Sequence, residues 1–445
     1  MSGERPWSGR TIHFVGVGGA GMSGYARAAH ALGARVSGSD GAPGPYLERL
    51  ARDGVLEASI GHRAENLPAG EGVELVYSSA IPAENPERTQ ARLRGIPERP
   101  RAELLAELTR MRETIAVAGT HGKTTTSSMV VHALRAAGTD PGWLVGGAVG
   151  GGLENARWSD GRWLVVEADE SDRSMLSLDV DIAVLTNVEL DHHSQFSSLQ
   201  ELRGAFREFL SAAGRALVWD RPELLELGDG AAEPYDALEV ELGEGGSSFS
   251  AAGRRVSLAV PGLHNAVDAA GAMAAAVAAG ADPAAAARGL ASFTGAARRF
   301  QPVGVAGAGA AVYEDYAHHP TEIAATLAGA RTIAHRRLVA VFQPHLFSRT
   351  ALLAREFGAA LVAADVVVVL DVYPARERAE EHPGVSGLLI AEAAADRAAG
   401  RPVYWLPAFS DALPVISALL GEGDVCVVMG AGDVDRLARL LGGAP

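Results

Sequence analysis

Residues 114–126 read TIAVAGTHGKTTT, and this stretch decides the fold. Ile115 and Val117, with small apolar neighbours, make a short buried run of strand length. The turn Gly119-Thr120-His121-Gly122 follows, and Lys123-Thr124-Thr125-Thr126 leads into a helix expected over 125–137. A strand that feeds a glycine-rich loop and then a helix is the building unit of doubly wound parallel sheets. The backbone N–H groups of such a loop cradle phosphate oxygens at a helix N-terminus; the ammonium neutralises their charge, and the hydroxyl beside it reaches a divalent cation. The spacing departs from G-x-x-x-x-G-K-[ST], because Val117 stands where that pattern has its first glycine.

Lys123 is the only lysine in the 445 residues; every other one of the 39 lysine and arginine residues is arginine. Arginine therefore stands wherever either cation serves, and lysine remains at the phosphate loop. The 54 acidic residues give a formal charge of −15, which argues against nucleic acids and anionic membranes as partners. Local arginines and helix N-termini can still hold small anions. With 48% hydrophobic and 21% charged residues the chain is expected to be globular. No apolar run nears the roughly 20 residues needed to cross a bilayer, and the first residues lack a signal-peptide pattern. A cytoplasmic location follows as an expectation, with no obligatory protein partner visible. The single cysteine, Cys426, lies in an apolar run and reads as a buried thiol.

Outward from the loop, strands alternate with helices. Upstream, strands are expected at 11–15 and 34–37 around a helix at 22–32, and another strand-like run ends at Tyr77-Ser78-Ser79. Downstream come strands at 163–167 and 182–186, then an alanine-rich stretch at 266–290 read as two helices broken at Gly280 to Pro283. A third series begins near Phe300, with strands at 338–342, 366–370, 403–406 and 424–429. The fold class is α/β in three consecutive domains, each with a mostly parallel sheet: Rossmann-like over 1–108, P-loop ATPase-like over 109–297 and Rossmann-like over 298–445.

A second glycine loop precedes the first in the chain. Gly16-Val17-Gly18-Gly19-Ala20-Gly21 fits G-x-G-x-x-G between a strand and a helix, and Asp40 ends the next strand. These residues suit a diphosphate next to a ribose. NAD meets that description, and so does a UDP-sugar.

Taken together, the motifs resemble the Mur ligases of peptidoglycan synthesis, and the resemblance covers essentially the whole chain. It rests on GVGGAGMSG (16–24), AGTHGKTTT (118–126), EADESD (167–172), TNVELDHH (186–193), PGLHN (261–265), RRFQ (298–301), DYAHHPTE (315–322), QPHLFSRT (343–350) and GAGD (430–433). It implies ATP and Mg²⁺ as cofactors. In the alanine-adding branch it implies UDP-N-acetylmuramate and L-alanine as substrates, joined through an acyl phosphate. UDP-sugar contacts are then expected at Gly16, Gly18, Gly19, Ala20, Gly21, Met22, Ser23, Asp40 and Ser79. ATP contacts are expected at Gly119, Thr120, His121, Gly122, Lys123, Thr124, Thr125, His264, Asn265 and Arg298. Thr124, Glu167 and His192 are expected to hold the metal, with Asp169 and Glu170 near enough in sequence to compete; Lys123, Glu167, His192, His318, His319 and Arg349 are the catalytic candidates. With no lysine after Lys123, a carbamylated lysine at the metal is excluded. Leu346 stands where many members carry arginine, which puts a second carboxylate clamp in doubt.

Other readings remain open. A salvage ligase attaching a tripeptide to the same sugar shares both loops. An NAD-dependent oxidoreductase accounts for the first loop alone, and a non-enzymatic ATP-binding protein accounts for the second.

Overall fold

The computed structural model describes residues 5–190 and 196–443. The chain forms two compact units, one of residues 1–238, 250–256 and 267–293, the other of 239–249, 257–266 and 294–445.

Among the described residues the first unit carries two mostly parallel sheets. The N-terminal one has the strand order Ser59–Ile60, Arg35–Asp40, Thr11–Val15, Val73–Tyr77, Glu98–Pro100, parallel throughout. The next runs Glu233–Tyr235, Arg215–Trp219, Ile182–Leu185, Glu113–Ala118, Trp163–Glu167, Gly142–Leu144, Ala156–Arg157, and only its last pair is antiparallel. Ile115, Ala116, Val117 and Ala118 are fully buried, as expected of a central parallel strand covered on both faces. The alanine-rich stretch folds as the helices Leu263–Ala278 and Pro283–Ala291. The second of these lies against the phosphate-loop helix so closely that a Cβ on Gly289 would come within 2.5 Å of the His132 carbonyl. Small side chains there permit the approach.

The second unit carries a six-stranded sheet, ordered Gln301–Val305, Ala311–Asp315, Val425–Met429, Leu338–Phe342, Val366–Leu370, Val403–Leu406. It is parallel except at its Gln301–Val305 edge, a hairpin pairing the sequence did not announce. Cys426 is fully buried in its centre, and burial pushes the thiol up to about 12. Three successive, mostly parallel sheets match the expected architecture. Helix starts shift slightly: the loop helix begins at Lys123, two residues earlier than read, because Gly122 at φ 83° completes the turn on its own. Among the described residues no helix is long and apolar enough to cross a membrane.

A buried charge sits beneath the N-terminal sheet. The Glu87 carboxylate is fully enclosed and accepts hydrogen bonds from His13 Nε2 at 2.7 Å, Ser39 Oγ at 2.8 Å and Asn66 Nδ2 at 2.9 Å. Burial disfavours its charge, but these donors outweigh it and bring the pKa down to about 2. A carboxyl depressed in the folded state contributes stability above its unfolded pKa, and that contribution is lost as pH falls toward about 2. Between about pH 6 and about pH 3 the unchanged protein is therefore expected to lose more melting temperature than Glu87→Gln. Equal losses in the two proteins would refute this.

Candidate active site

The phosphate loop is held from below by the segment after Leu185. Asn187 Oδ1 accepts from His121 N at 2.9 Å, and Asn187 Nδ2 donates to His121 O at 2.9 Å. Thr186 Oγ1 donates to the same carbonyl at 2.6 Å, and Thr120 Oγ1 donates to Glu189 O at 2.9 Å. His121 Nε2 lies 3.1 Å from Glu189 Oε2. Gly119, at φ 133°, is packed so tightly that a Cβ would come within 2.1 Å of Thr186 Oγ1. At Gly122 a Cβ would meet Asp268 Oδ1 at 2.6 Å.

Lys123 Nζ lies over the loop, donating to Gly119 O at 2.6 Å, Thr120 O at 3.2 Å and Glu170 Oε2 at 2.8 Å. Burial works against its charge, yet Glu170, Asp169 and Glu167 together hold the ammonium above its ordinary value. Thr124 and Thr125 are buried at the start of the Lys123–Ala136 helix, whose N-terminal residue Gly122 offers no side-chain cap to the first amides. Glu167 Oε1 accepts from Gly146 N at 2.6 Å. The Thr124 hydroxyl and the Glu167 carboxylate are hard oxygen donors of the kind Mg²⁺ takes. His192, the third expected ligand, lies outside the described residues.

Arg101 reaches the same acidic run, with Nη2 at 2.8 Å from Asp169 Oδ2 and 2.9 Å from Asp172 Oδ2. Burial raises the Asp169 pKa, but Lys123, Arg101 and Ser171 more than reverse that and hold it well below the usual range. A cavity of about 140 Å³ opens here, lined by Gly21, Tyr25, Arg101, Val145, Glu167 and Asp169 among others. Burial, with Arg101 opposing and the acids reinforcing, pushes the Tyr25 hydroxyl up to about 12, so it remains a neutral donor. The cavity thus lies between the helix that follows the first glycine loop and the carboxylates that face Lys123.

That first loop is built as its spacing implied. Gly16 adopts φ 81°, Gly18 N donates to Asp40 Oδ2 at 2.8 Å, and Gly19 leads into the Ala20–Ala31 helix without a side-chain cap. Its first amides remain available to an anion. Met22 and Ser23 are buried, Met22 in the hydrophobic core, whereas Ser79 is exposed. Asn155 Nδ2 donates to Ala20 O at 2.6 Å and to Ser23 Oγ at 3.1 Å, which ties this helix to the neighbouring sheet of the same unit.

In the second unit, His264 is half-buried beneath Gly262, and partial burial lowers its pKa to about 4, so it is neutral. Asn265 Nδ2 donates to Pro261 O at 2.6 Å, so its amide fastens the preceding turn instead of accepting from helix amides as a cap would. Arg298 stands over the Tyr316 ring, with Nη2 donating to Gly430 O at 3.0 Å and Gly432 O at 3.3 Å. His319 is the N-cap of the Pro320–Ala330 helix and shares a capping box with Glu322. His318 Nδ1 is 2.9 Å from Tyr316 O and 3.2 Å from the same Glu322 carboxylate, and its ring is 6.1 Å from that of His345. Arg349 Nη1 lies 3.4 Å from His345 Nδ1, and Tyr373 stacks on His345. Burial, with His318, Arg349 and Arg376 nearby, brings His345 down to about 4, a neutral hydrogen-bonding imidazole at physiological pH.

Sequence reading brought together Lys123, Thr124 and Glu167, and likewise His318 with Arg349. It passed over Asn187, Glu189 and His345, although all three lie in quoted motifs. Tyr25, Arg101 and Tyr373 carry no motif of their own and become visible only through packing.

Comparisons with known proteins agree in all three segments. The family model described as Mur ligase family, catalytic domain, matches residues 11–113, the Mur ligase middle domain matches 117–276, and the Mur ligase, glutamate ligase domain matches 298–432. The chain is 43% identical to the UDP-N-acetylmuramate–L-alanine ligase of Mycobacterium avium, over 96% of this chain and 93% of the relative. It is 44% identical to that of Rubrobacter xylanophilus, over 97% and 99%. The solved structure of UDP-N-acetylmuramate-alanine ligase from Thermotoga maritima superposes with a TM-score of 0.83 at 27% identity, covering 97% of this chain and 98% of that one. On these matches and this geometry, the chain belongs to the Mur ligase family.

Proposed function

We propose that the protein joins L-alanine to the lactyl carboxylate of UDP-N-acetylmuramate, converting ATP to ADP and phosphate, as an early cytoplasmic step of peptidoglycan synthesis. The observation that carries this reading is the cavity beside the first glycine loop's helix, walled by Glu167 and Asp169 on one side and by the start of the Ala20–Ala31 helix on the other. A sugar whose diphosphate rests on the first loop would extend its carboxylate toward the second. Full-length likeness to L-alanine ligases supports the choice of substrates.

An unactivated carboxylate is a poor acyl donor. Its oxygen attacks the γ-phosphorus of ATP, the bond to the β-phosphate oxygen breaks, and an acyl phosphate forms with ADP leaving. The amine of alanine then attacks the acyl carbon, loses a proton, and expels inorganic phosphate. Two anions meet in the first step, so positioning and charge neutralisation supply the catalysis. Lys123 and the loop amides take the β- and γ-phosphates, and Arg101 steadies the acidic run that faces them. Thr124 and Glu167, with His192, would hold Mg²⁺, which when bound would supply further neutralisation of the phosphate oxygens. Residues 1–108, 109–297 and 298–445 serve the UDP-sugar, ATP and the amino acid respectively.

On the amino-acid side, Arg349 clamps the alanine carboxylate and His318 receives the proton, His319 being committed to its helix cap. Removing a charge-assisted clamp costs about 1.5–3 kcal/mol. Arg349→Ala is therefore expected to raise the KM for alanine roughly 10- to 100-fold with the KM for the UDP-sugar unchanged. Steady-state titration of each substrate checks this, and an equal rise in both would count against the clamp.

The decisive assay is phosphate release with ATP, UDP-N-acetylmuramate and a panel of acceptors. L-alanine is expected to give the highest kcat/KM; a response to the murein tripeptide alone would replace this reading by the salvage ligase.

A further inference from the structure

The phenol of Tyr25 has no part in the chemistry described so far. The residue is 6% exposed and packs in the hydrophobic core, yet it lines the cavity beside the Ala20–Ala31 helix. Among the described residues its hydroxyl has no hydrogen-bond partner. A hydroxyl enclosed in this way costs stability until something accepts its proton.

Arg101 brings a second spare donor to the same place. Its Nε lies 3.2 Å from Asp172 Oδ2, and Nη2 serves both Asp169 and Asp172, whereas Nη1 has no carboxylate partner. Nη1 and the Tyr25 hydroxyl converge on the first turn of the helix: a Cβ on Gly21 would come 3.5 Å from Nη1 and 3.9 Å from the hydroxyl oxygen. The missing side chain at Gly21 keeps both donors open to the cavity.

Charge and covalent distance decide what these donors take. The carboxylates of Glu167, Asp169, Glu170 and Asp172 outnumber the cations Lys123 and Arg101, which disfavours a further anion beside Tyr25 and favours a neutral acceptor. With the diphosphate on the first glycine loop, the anomeric carbon of the sugar lies next to the helix start. The substituent on the adjoining ring carbon is then the nearest polar group. In an N-acetylhexosamine it carries an amide carbonyl, a neutral oxygen with two lone pairs. The lactyl ether sits one carbon further on and extends past it toward Glu167.

We infer that Tyr25 and Arg101 are specificity-determining residues that read the 2-acetamido group of the UDP-sugar, the Tyr25 hydroxyl and Arg101 Nη1 both donating to its carbonyl oxygen. The inference rests on the ligase reading for the identity of the sugar nucleotide. A site whose enclosed donors are satisfied by that carbonyl rejects a sugar lacking it.

Calorimetric titration of the full-length protein with UDP-N-acetylglucosamine and with UDP-glucose tests the assignment, because the two sugars differ only in that substituent. The unaltered protein is expected to bind the N-acetyl sugar more tightly. Tyr25→Phe, which removes the hydroxyl and keeps the packed ring, is expected to weaken UDP-N-acetylglucosamine and UDP-N-acetylmuramate about three- to tenfold, the value of one hydrogen bond. UDP-glucose and a non-hydrolysable ATP analogue are expected to bind it as before. Arg101→Lys, which keeps a cation beside Asp169 and loses the free prong, is expected to follow the same pattern. UDP-N-acetylglucosamine bound no better than UDP-glucose by the unaltered protein, or weakened no more than UDP-glucose by Tyr25→Phe, would overturn the inference. So would a loss confined to UDP-N-acetylmuramate, which would place the donors on the lactyl carboxylate. Each of these outcomes leaves the ligase reading intact, and failure of the unaltered protein to bind UDP-N-acetylmuramate would remove both together.

Discussion

Replacing Lys123 by methionine is expected to lower kcat for phosphate release by about 10³-fold while leaving the affinity for UDP unchanged. The size of the effect follows from the position of Nζ. It lies 2.6 Å from Gly119 O and 2.8 Å from a Glu170 carboxylate that is almost wholly buried, so on the proposed reading its ammonium is held over the loop that would take the phosphates. No arginine can stand in for it: a forked guanidinium does not fit a space shaped for one compact ammonium touching two carbonyls and a carboxylate. Methionine keeps the length and loses the charge, which removes one of the cations facing Glu170, Asp169 and Glu167 and leaves Arg101 beside Asp169. Some loss of melting temperature is therefore expected beside the loss of turnover, and the UDP titration separates the two. Because the variant contains no lysine at all, residual activity in it cannot be assigned to another lysine. Turnover within tenfold of the unaltered protein would sink the assignment of Lys123 to the phosphates.

Gly119→Ala is expected to reduce kcat/KM for ATP by at least about 10²-fold, through geometry alone. The φ of 133° is a conformation that side chains rarely adopt, and the new Cβ would come within 2.1 Å of Thr186 Oγ1 and 3.0 Å of Asn187 N and O. Removing the threonine hydroxyl does not cure the second contact, which is with backbone. The loop must therefore move, and with it the amides fastened by Asn187 to His121. Gly204 supplies the contrast. It lies within the Leu199–Ala212 helix with nothing within 4 Å of an added Cβ, so Gly204→Ala is expected to stabilise by up to about 1 kcal/mol and to leave turnover alone. Titration with a non-hydrolysable ATP analogue and thermal melting read both variants; ATP affinity unchanged in Gly119→Ala would refute the account.

The fold was legible where the local signals agreed. Apolar runs such as Leu338–Phe342 and Val366–Leu370, bounded by helices, could only be buried parallel strands. The antiparallel Gln301–Val305 edge was not legible, because pairing at an edge depends on which strand end the chain returns to and not on composition. Within the site, Lys123 and Thr124 were legible because a glycine loop constrains its neighbours in sequence. Arg101 was not. It lies 68 residues from Asp169, and its partner is chosen by how the Arg101–Thr109 helix packs. The same holds for Tyr373 and His345, which meet across two loops. His319 taught a different lesson: two adjacent histidines invited one chemical role, and the helix start at Pro320 makes one of them, His319, its cap, while His318 lies beside His345.

The ties between the first two sheets bear on how the protein responds to its ligands. Arg101 with Asp169 and Asp172, Arg49 with Glu154, and Asn155 with Ala20 and Ser23 cross between elements that carry the two glycine loops. Structures cross-braced in this way melt cooperatively, and a ligand that binds only the folded form stabilises everything that melts with it. A nucleotide seated on either loop would thereby protect the other from unfolding, so each substrate acts as a chaperone for the binding site of its co-substrate.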